Sequence, residues 1–260
     1  PILAIFGILG SGVFALSMVI VQISVITIIA GIAAWYGLSN EDGGENTEIL
    51  SFASSIKEII SVLKMPAVWL IAVVVLAAYS AYWGAYRFTS YSTDIFSLSV
   101  IAAGAISIGK MVMSPPSALI AGFVSDKVGI AKSVIVLFVV LIVSFVIFAF
   151  LPGIPAFLPV MLINVAIASF AIFALRAIYY ALLEEGGIPV VVTGTATGFI
   201  SMIGFTPDIF MPLLGGILLD SMPTIEGYRA FFISVAVICG LGLAASIFLY
   251  RIALERKKNG

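Results

Sequence analysis

Three charged residues stand inside stretches that are otherwise apolar: Lys110, Arg176 and Asp208. A charge in such a place is costly unless a cavity or a counter-charge receives it. Lys110 lies about 18 Å of helix from either end of its run, and Asp208 about 16 Å from one end of its own. An ammonium at that depth can bind an anion or exchange a proton, and a structural ion pair with Asp208 is the competing role. Pro207 and Pro212 flank Asp208, each removing an N–H and loosening the helix. A carboxylate beside freed carbonyls can take up a proton or cation and release it as the helix bends. Arg176 sits about 10 Å from the end of its run and offers a planar fork for carboxylate or phosphate. It can equally reach the surface or pair with Glu184. Tyr79, Tyr82, Trp83 and Tyr86 recur at i, i+3, i+4 and i+7, one face of a helix. An interfacial aromatic belt accounts for Tyr86 and Tyr91 beside Arg87, but not for the central Tyr79. Packing or lipid contact is the other reading of the stripe.

The elements that carry these residues are long apolar runs, at 13–37, 66–91, 98–122, 132–151, 155–183, 189–219 and 228–251. A hydrocarbon core about 30 Å thick needs roughly 20 apolar residues of helix. In lipid the backbone must satisfy its own hydrogen bonds, so the runs are expected as helices. The fold class is therefore an all-α polytopic membrane protein with about seven transmembrane helices. A composition of 62% hydrophobic and 10% charged residues, with mean hydropathy +1.26, agrees. Net charge is −1, so no bulk field recruits nucleic acid. Histidine is absent and Cys239 is alone, which removes histidine metal sites, His-dependent triads and disulfide frameworks. With no nucleophile–base pair and no phosphate-binding loop, neither an enzyme, a cofactor nor a metal is expected. Gly194-Thr195-Ala196-Thr197-Gly198 reads as a small face for close helix packing.

Lys57, Lys64, Lys127, Lys132, Arg251, Arg256, Lys257 and Lys258 fall on one side if the spans alternate. Only Arg87 and Arg229 fall on the other, so the C-terminus is expected in the cytoplasm. Residues 39–65 form a cytoplasmic linker that is acidic and glycine-rich at first. Thr47 or Ser51 is placed to start a helix after it. Ile49, Phe52, Ile56, Ile59, Ile60 and Leu63 then mark an amphipathic helix on the membrane surface, with partner binding as the rival reading. Pro66 suits the first turn of the next span. Pro1 opens the chain without an initiator Met or a basic leader, so a fragment lacking its N-terminal part is the simplest expectation. Residues 1–12 then read as the tail of an earlier span.

Gly104-Ala105-Ile106-Ser107 echoes Gly198-Phe199-Ile200-Ser201, and at the same offset Leu119 meets Leu213, Gly122 meets Gly216 and Asp126 meets Asp220. Two similar helices of opposite direction, each central to three, are what an inverted repeat predicts. The turn after the third span reads Gly122-Phe123-Val124-Ser125-Asp126-Lys127-Val128-Gly129-Ile130-Ala131-Lys132. Gly122 permits close backbone approach. Asp126 can face the positive N-terminus of a neighbouring helix. Gly129 permits the tight turn, and Lys127 and Lys132 hold the loop inside.

This pattern, Gly-x-x-x-Asp-Lys-x-Gly-x-x-Lys, resembles the signature loop of the major facilitator superfamily of secondary transporters. In that family the loop occurs between helices two and three, and again, more weakly, between helices eight and nine. The loop here looks like the second copy, and the resemblance covers roughly residues 13–251. Residues 1–38 then look like the end of an N-terminal half, 66–251 like helices seven to twelve with a 3+3 inverted repeat, and 252–260 like a cytoplasmic tail. Gly-Phe-Thr-Pro-Asp at 204–208 looks closest to bacterial permeases grouped loosely with nitrate/nitrite and sugar-phosphate porters. Ile130-Ala131 departs from the basic pair often found after the motif glycine, so loop salt bridges are not carried over. The resemblance implies alternating-access transport of a small anionic solute across the cell membrane, with protons or another ion as the coupling partner. It implies that Lys110, Arg176, Tyr79, Tyr82, Trp83 and Tyr86 border the substrate pathway and that Asp208 serves coupling. It further implies that Gly122, Asp126, Lys127, Gly129 and Lys132 act in the conformational change, and that the missing N-terminal half completes the site. A membrane sensor that keeps the fold without moving solute is the alternative.

Overall fold

The computed structural model describes residues 13–37 and 52–259. The chain forms two units, Pro1–Ser55 and Ile56–Gly260. In the first, α1 (Val13–Gly37) is one uninterrupted helix of 25 residues, as its apolar run predicts. The expected helix starts at Thr47 or Ser51, Ile49 among the stripe, and the acidic part of the linker lie outside the described residues. The amphipathic helix is α2 (Phe52–Leu63). Its Ile56, Ile59 and Ile60 are exposed, and the residue that buries is Val62, outside the predicted stripe. The Ile56, Ile59 and Ile60 part of the stripe thus faces away from the bundle, while Leu63 is half-buried.

The second unit is a helical bundle organised around α3 (Pro66–Asp94), which starts at Pro66 behind an extended Met65. Ala72, Ala77, Ala78, Ala81 and Ala85 of α3 are buried, and α3 touches six of the helices that follow. Small side chains matter because lipid tails are as apolar as leucine. Helix association in a bilayer therefore rests on close packing and hydrogen bonds rather than on expelling water. The last helix, α11 (Thr224–Asn259), packs against both α3 and α6 (Ile130–Phe150). At Gly242 a Cβ would stand 2.5 Å from Ala77 Cβ and 2.5 Å from Phe138 Cζ, so only glycine admits the crossing. At one end of these three helices Phe88, Phe148 and Phe232 interlock, with Phe88 and Phe148 centroids 4.5 Å apart. Two polar ties close that end. Tyr91 OH donates to the Phe148 carbonyl at 3.1 Å, and Tyr228 OH donates to Asp94 Oδ2 at 2.6 Å.

The run 98–122 is not one helix. It divides into α4 (Val100–Val112) and α5 (Ser114–Val128), with Met113 between them. Pro115 and Pro116 have no N–H to return to Met111 and Val112, so the hydrogen-bond ladder cannot continue and a new helix starts. Gly129 ends α5 at φ 103°, a left-handed conformation that suits glycine, and α6 begins at once. The run 155–183 contains α7 (Leu158–Ile178) and the short α8 (Leu182–Glu185), joined by a single 3₁₀ turn. The run 189–219 also divides, into α9 (Thr193–Gly204) and α10 (Pro207–Ser221), with Phe205-Thr206 between and Pro212 inside α10.

Among the described residues, five stretches are long and apolar enough to cross a membrane: Pro66–Asp94, Ile130–Phe150, Pro155–Glu185, Val190–Ser221 and Thr224–Arg256. The breaks around Met113 and Thr206 fall within two helical pairs that both reach α3. They bring Lys110 and Asp208 to the same helix.

Candidate functional site

The face of α3 bearing Tyr79, Tyr82, Trp83 and Tyr86 is where four elements meet. A helix repeats every 3.6 residues, so these four side chains share one side, and successive rings touch. Tyr79 stacks on Tyr82 at 5.7 Å, Tyr82 meets Tyr86 edge-on at 5.1 Å, and Trp83 lies 5.1 Å from Tyr86. The Tyr82 and Tyr86 hydroxyls share a hydrogen bond of 3.0 Å. Phe205, at the break between α9 and α10, extends the wall by packing 4.9 Å from Tyr79, and Phe173 of α7 lies 6.3 Å from Tyr82.

The three charges carried by the apolar runs, Lys110 and Arg176 half-buried and Asp208 exposed, converge on this wall from three directions. From α7, the Arg176 guanidinium carbon stands 4.1 Å from the Tyr82 centroid and 5.7 Å from that of Tyr79. Stacking on a ring face satisfies the cation's faces and leaves its in-plane N–H groups for other acceptors. Of the roles open to it, Arg176 takes the stripe rather than Glu184, which is exposed. From α4, Lys110 Nζ donates to the Ala85 carbonyl at 2.9 Å and lies 5.1 Å from the Tyr86 ring. One of its three N–H bonds is used there. From α10, Asp208 accepts from Trp83 Nε1 at 2.8 Å and from Tyr79 OH at 3.4 Å. Lys110 and Asp208 thus rest on different parts of the stripe instead of on each other. The arrangement offers two cations that keep unspent donors, one carboxylate held by neutral donors, and an aromatic floor between them. That combination can hold a small anion beside a carboxylate that rests on neutral donors.

At the other end of α5 the signature-loop residues take up separate positions. Asp126, Lys127 and Lys132 are exposed, and Lys132 Nζ lies 5.8 Å from the Tyr250 ring. A Cβ at Gly122 would meet nothing within 4 Å, so the close approach expected there is not made within the described residues. The same holds at Gly194 and Gly198, where the buried neighbour is Ala196. The carboxylate found on a helix N-terminus belongs to Glu185, not to Asp126. Its Oε1 accepts from Ile130 N at 2.9 Å and its Oε2 from Ala131 N at 2.8 Å, which satisfies the start of α6. Asp126 instead lines a groove of about 690 Å³ with Glu184, Glu185, Gly187 and Arg256.

Glu185 was not among the residues singled out in the sequence. The available signal is that α6 opens on Gly129-Ile130-Ala131, with no Ser, Thr, Asp or Asn to cap it. Such a partly buried start must borrow an acceptor from elsewhere in the chain. Two further ties also come from distant partners: Tyr180 OH with Ser201 Oγ at 2.7 Å, and Thr195 Oγ1, which donates to Glu58 of α2. The latter fastens α2 to the start of α9.

No family model matches the chain. It is 31% identical over 268 residues to the inner membrane protein YihN of Escherichia coli (strain K12), an alignment covering 99% of this chain and 62% of that protein. It is 26% identical over 246 residues to the inner membrane protein YqcE of the same organism, covering 91% of this chain and 57% of that one. The chain therefore spans about three fifths of the length of these relatives. Five apolar crossings and this likeness together make the chain a multi-pass helical membrane protein, similar to two proteins of a bacterial inner membrane.

Proposed function

We propose that the chain is the C-terminal half of a secondary transporter of the major facilitator type, which moves a small anionic solute across the inner membrane by alternating access. The observation that carries this reading is the meeting of Lys110, Arg176 and Asp208, from three helices, on the aromatic face of a fourth. Intramembrane charges are retained where a pathway uses them. In transporters built of repeats, such sites lie near the midplane beside broken helices. Support for the inverted repeat comes from the breaks: at an offset of 94 residues Met113 corresponds to Pro207, beside the second break. The excess of lysine and arginine at one end supports a cytoplasmic C-terminus. In this reading Arg176 and Lys110 bind the anion, and Asp208 carries the coupling proton or cation.

Counterflow into proteoliposomes is the test. The whole protein is loaded with one of a panel of carboxylates, phosphate esters and inorganic anions, and uptake of the labelled form is followed. A transporter concentrates label transiently for at least one of them. Saturable binding with no counterflow would transfer the protein to the sensor reading, and passive label equilibration would make it a channel.

A further inference from the structure

A groove of about 690 Å³ runs between the first turns of α3 and the last turns of α11, remote from the aromatic stripe. Leu70, which lines it, is separated from Tyr79 by nine residues, about half a turn on the helix, so the groove opens on the opposite side of α3. Its mouth carries Lys64, Arg251 and Glu255, and its floor carries Trp69, Leu70 and Phe248. Lys64 stands two residues before α3 begins, and Arg251 is the first charge after the apolar part of α11. Both mark the level at which a spanning helix leaves hydrocarbon. Leu70 lies about 6 Å into α3 from Pro66, and Phe248 about 4.5 Å inward of Arg251. The groove is polar at headgroup level and apolar immediately below it.

We propose that this groove binds one anionic glycerophospholipid with an uncharged headgroup, such as phosphatidylglycerol. The Lys64 ammonium and the Arg251 guanidinium receive its phosphodiester, and an acyl chain runs along Trp69, Leu70 and Phe248. The floor is ready for it: Trp69 and Phe248 are exposed, and the Trp69 indole N–H is already spent on the Leu63 carbonyl at 2.8 Å. The charges select the headgroup. Two cations and Glu255 leave the mouth at +1, which a single phosphodiester neutralises; a zwitterionic lipid leaves it uncompensated. Glu255 remains free to accept from headgroup hydroxyls. Basic grooves between spanning helices at the membrane surface bind acidic lipids in this way.

The experiment is native mass spectrometry of the whole protein released from nanodiscs of equimolar dioleoyl phosphatidylglycerol, phosphatidylethanolamine and phosphatidylcholine. One phosphatidylglycerol is expected to stay bound in preference to the other two. Lys64→Gln should lower its retention about fivefold, and Lys64→Gln with Arg251→Gln about thirtyfold. The pair Lys64→Arg and Arg251→Lys keeps both charges and should keep the lipid, which separates loss of charge from loss of fold. Glu255→Gln should not weaken retention. Unchanged retention in the double glutamine variant overturns the assignment, as does preference for phosphatidylethanolamine. Displacement by millimolar glycerol 3-phosphate would also overturn it, by making the occupant a soluble anion.

Discussion

At the scale of single residues, the question is what stabilises the half-buried ammonium of Lys110. Its visible partner is neutral: the Ala85 carbonyl at 2.9 Å, with the Tyr86 ring 5.1 Å away. A carbonyl and a ring face soften the cost of the charge without cancelling it, which leaves the ammonium ready for an anion. Lys110→Ala is therefore expected to weaken solute binding about tenfold or more, because a hydrogen bond to a charged group is worth about 1.5–3 kcal/mol. Protein abundance should fall much less. Lys110→Arg should retain part of the binding, since charge survives while geometry changes. Adding Asp208→Asn to Lys110→Ala should not restore uptake normalised to folded protein, because Asp208 is held by Trp83 and Tyr79. A rescue by that double change would move Lys110 from the binding site to the scaffold.

At the scale of elements, prolines and a borrowed cap decide where helices begin. Pro115-Pro116 and Pro207 each open a new helix inside a run of unbroken hydropathy. The start of α6 has no local cap and depends on Glu185, more than 50 residues away, for two of its N–H groups. Glu185→Ala should cost about 1–2 kcal/mol of stability, read as a lower melting temperature of the detergent-solubilised protein. Glu185→Gln, which keeps an acceptor but loses the charge, should cost less. Asp126→Asn serves as the comparison: the exposed Asp126 makes no such bond, so its change should be smaller still. Equal losses for Glu185→Ala and Asp126→Asn would mean that the cap contributes nothing of its own.

At the scale of the whole molecule, the collection of lysine and arginine at one end predicts an orientation that labelling can check. Glu184 and Ser221 are both exposed; Glu184 stands at the end of the Pro155–Glu185 stretch, just before Val190–Ser221 begins, and Ser221 stands at the far end of the latter. In a background where the buried Cys239 is replaced by alanine, a cysteine at Ser221 should react with an impermeant thiol reagent in intact cells. A cysteine at Glu184 should be protected until the cells are opened. The reverse pattern would overturn the orientation, and equal labelling of both would show that α9 and α10 do not cross together.

The membrane class, five of the seven expected crossings and the shared face of Tyr79, Tyr82, Trp83 and Tyr86 were legible in the sequence. Each is a property of a chain segment alone against a bilayer of set thickness and a helix of set period. Hydropathy averaged over a window could not show the breaks in 98–122 and 189–219, because a missing N–H leaves the apolarity of a run unchanged. The prolines that cause them are nonetheless visible residue by residue. Only the tertiary structure decided that Arg176 turns to Tyr82 rather than to Glu184, that Lys110 rests on a carbonyl, and that Glu185 takes the place expected of Asp126. These are pairings between helices. They depend on the depth and rotation of each helix against its neighbours, which packing sets and no single segment encodes.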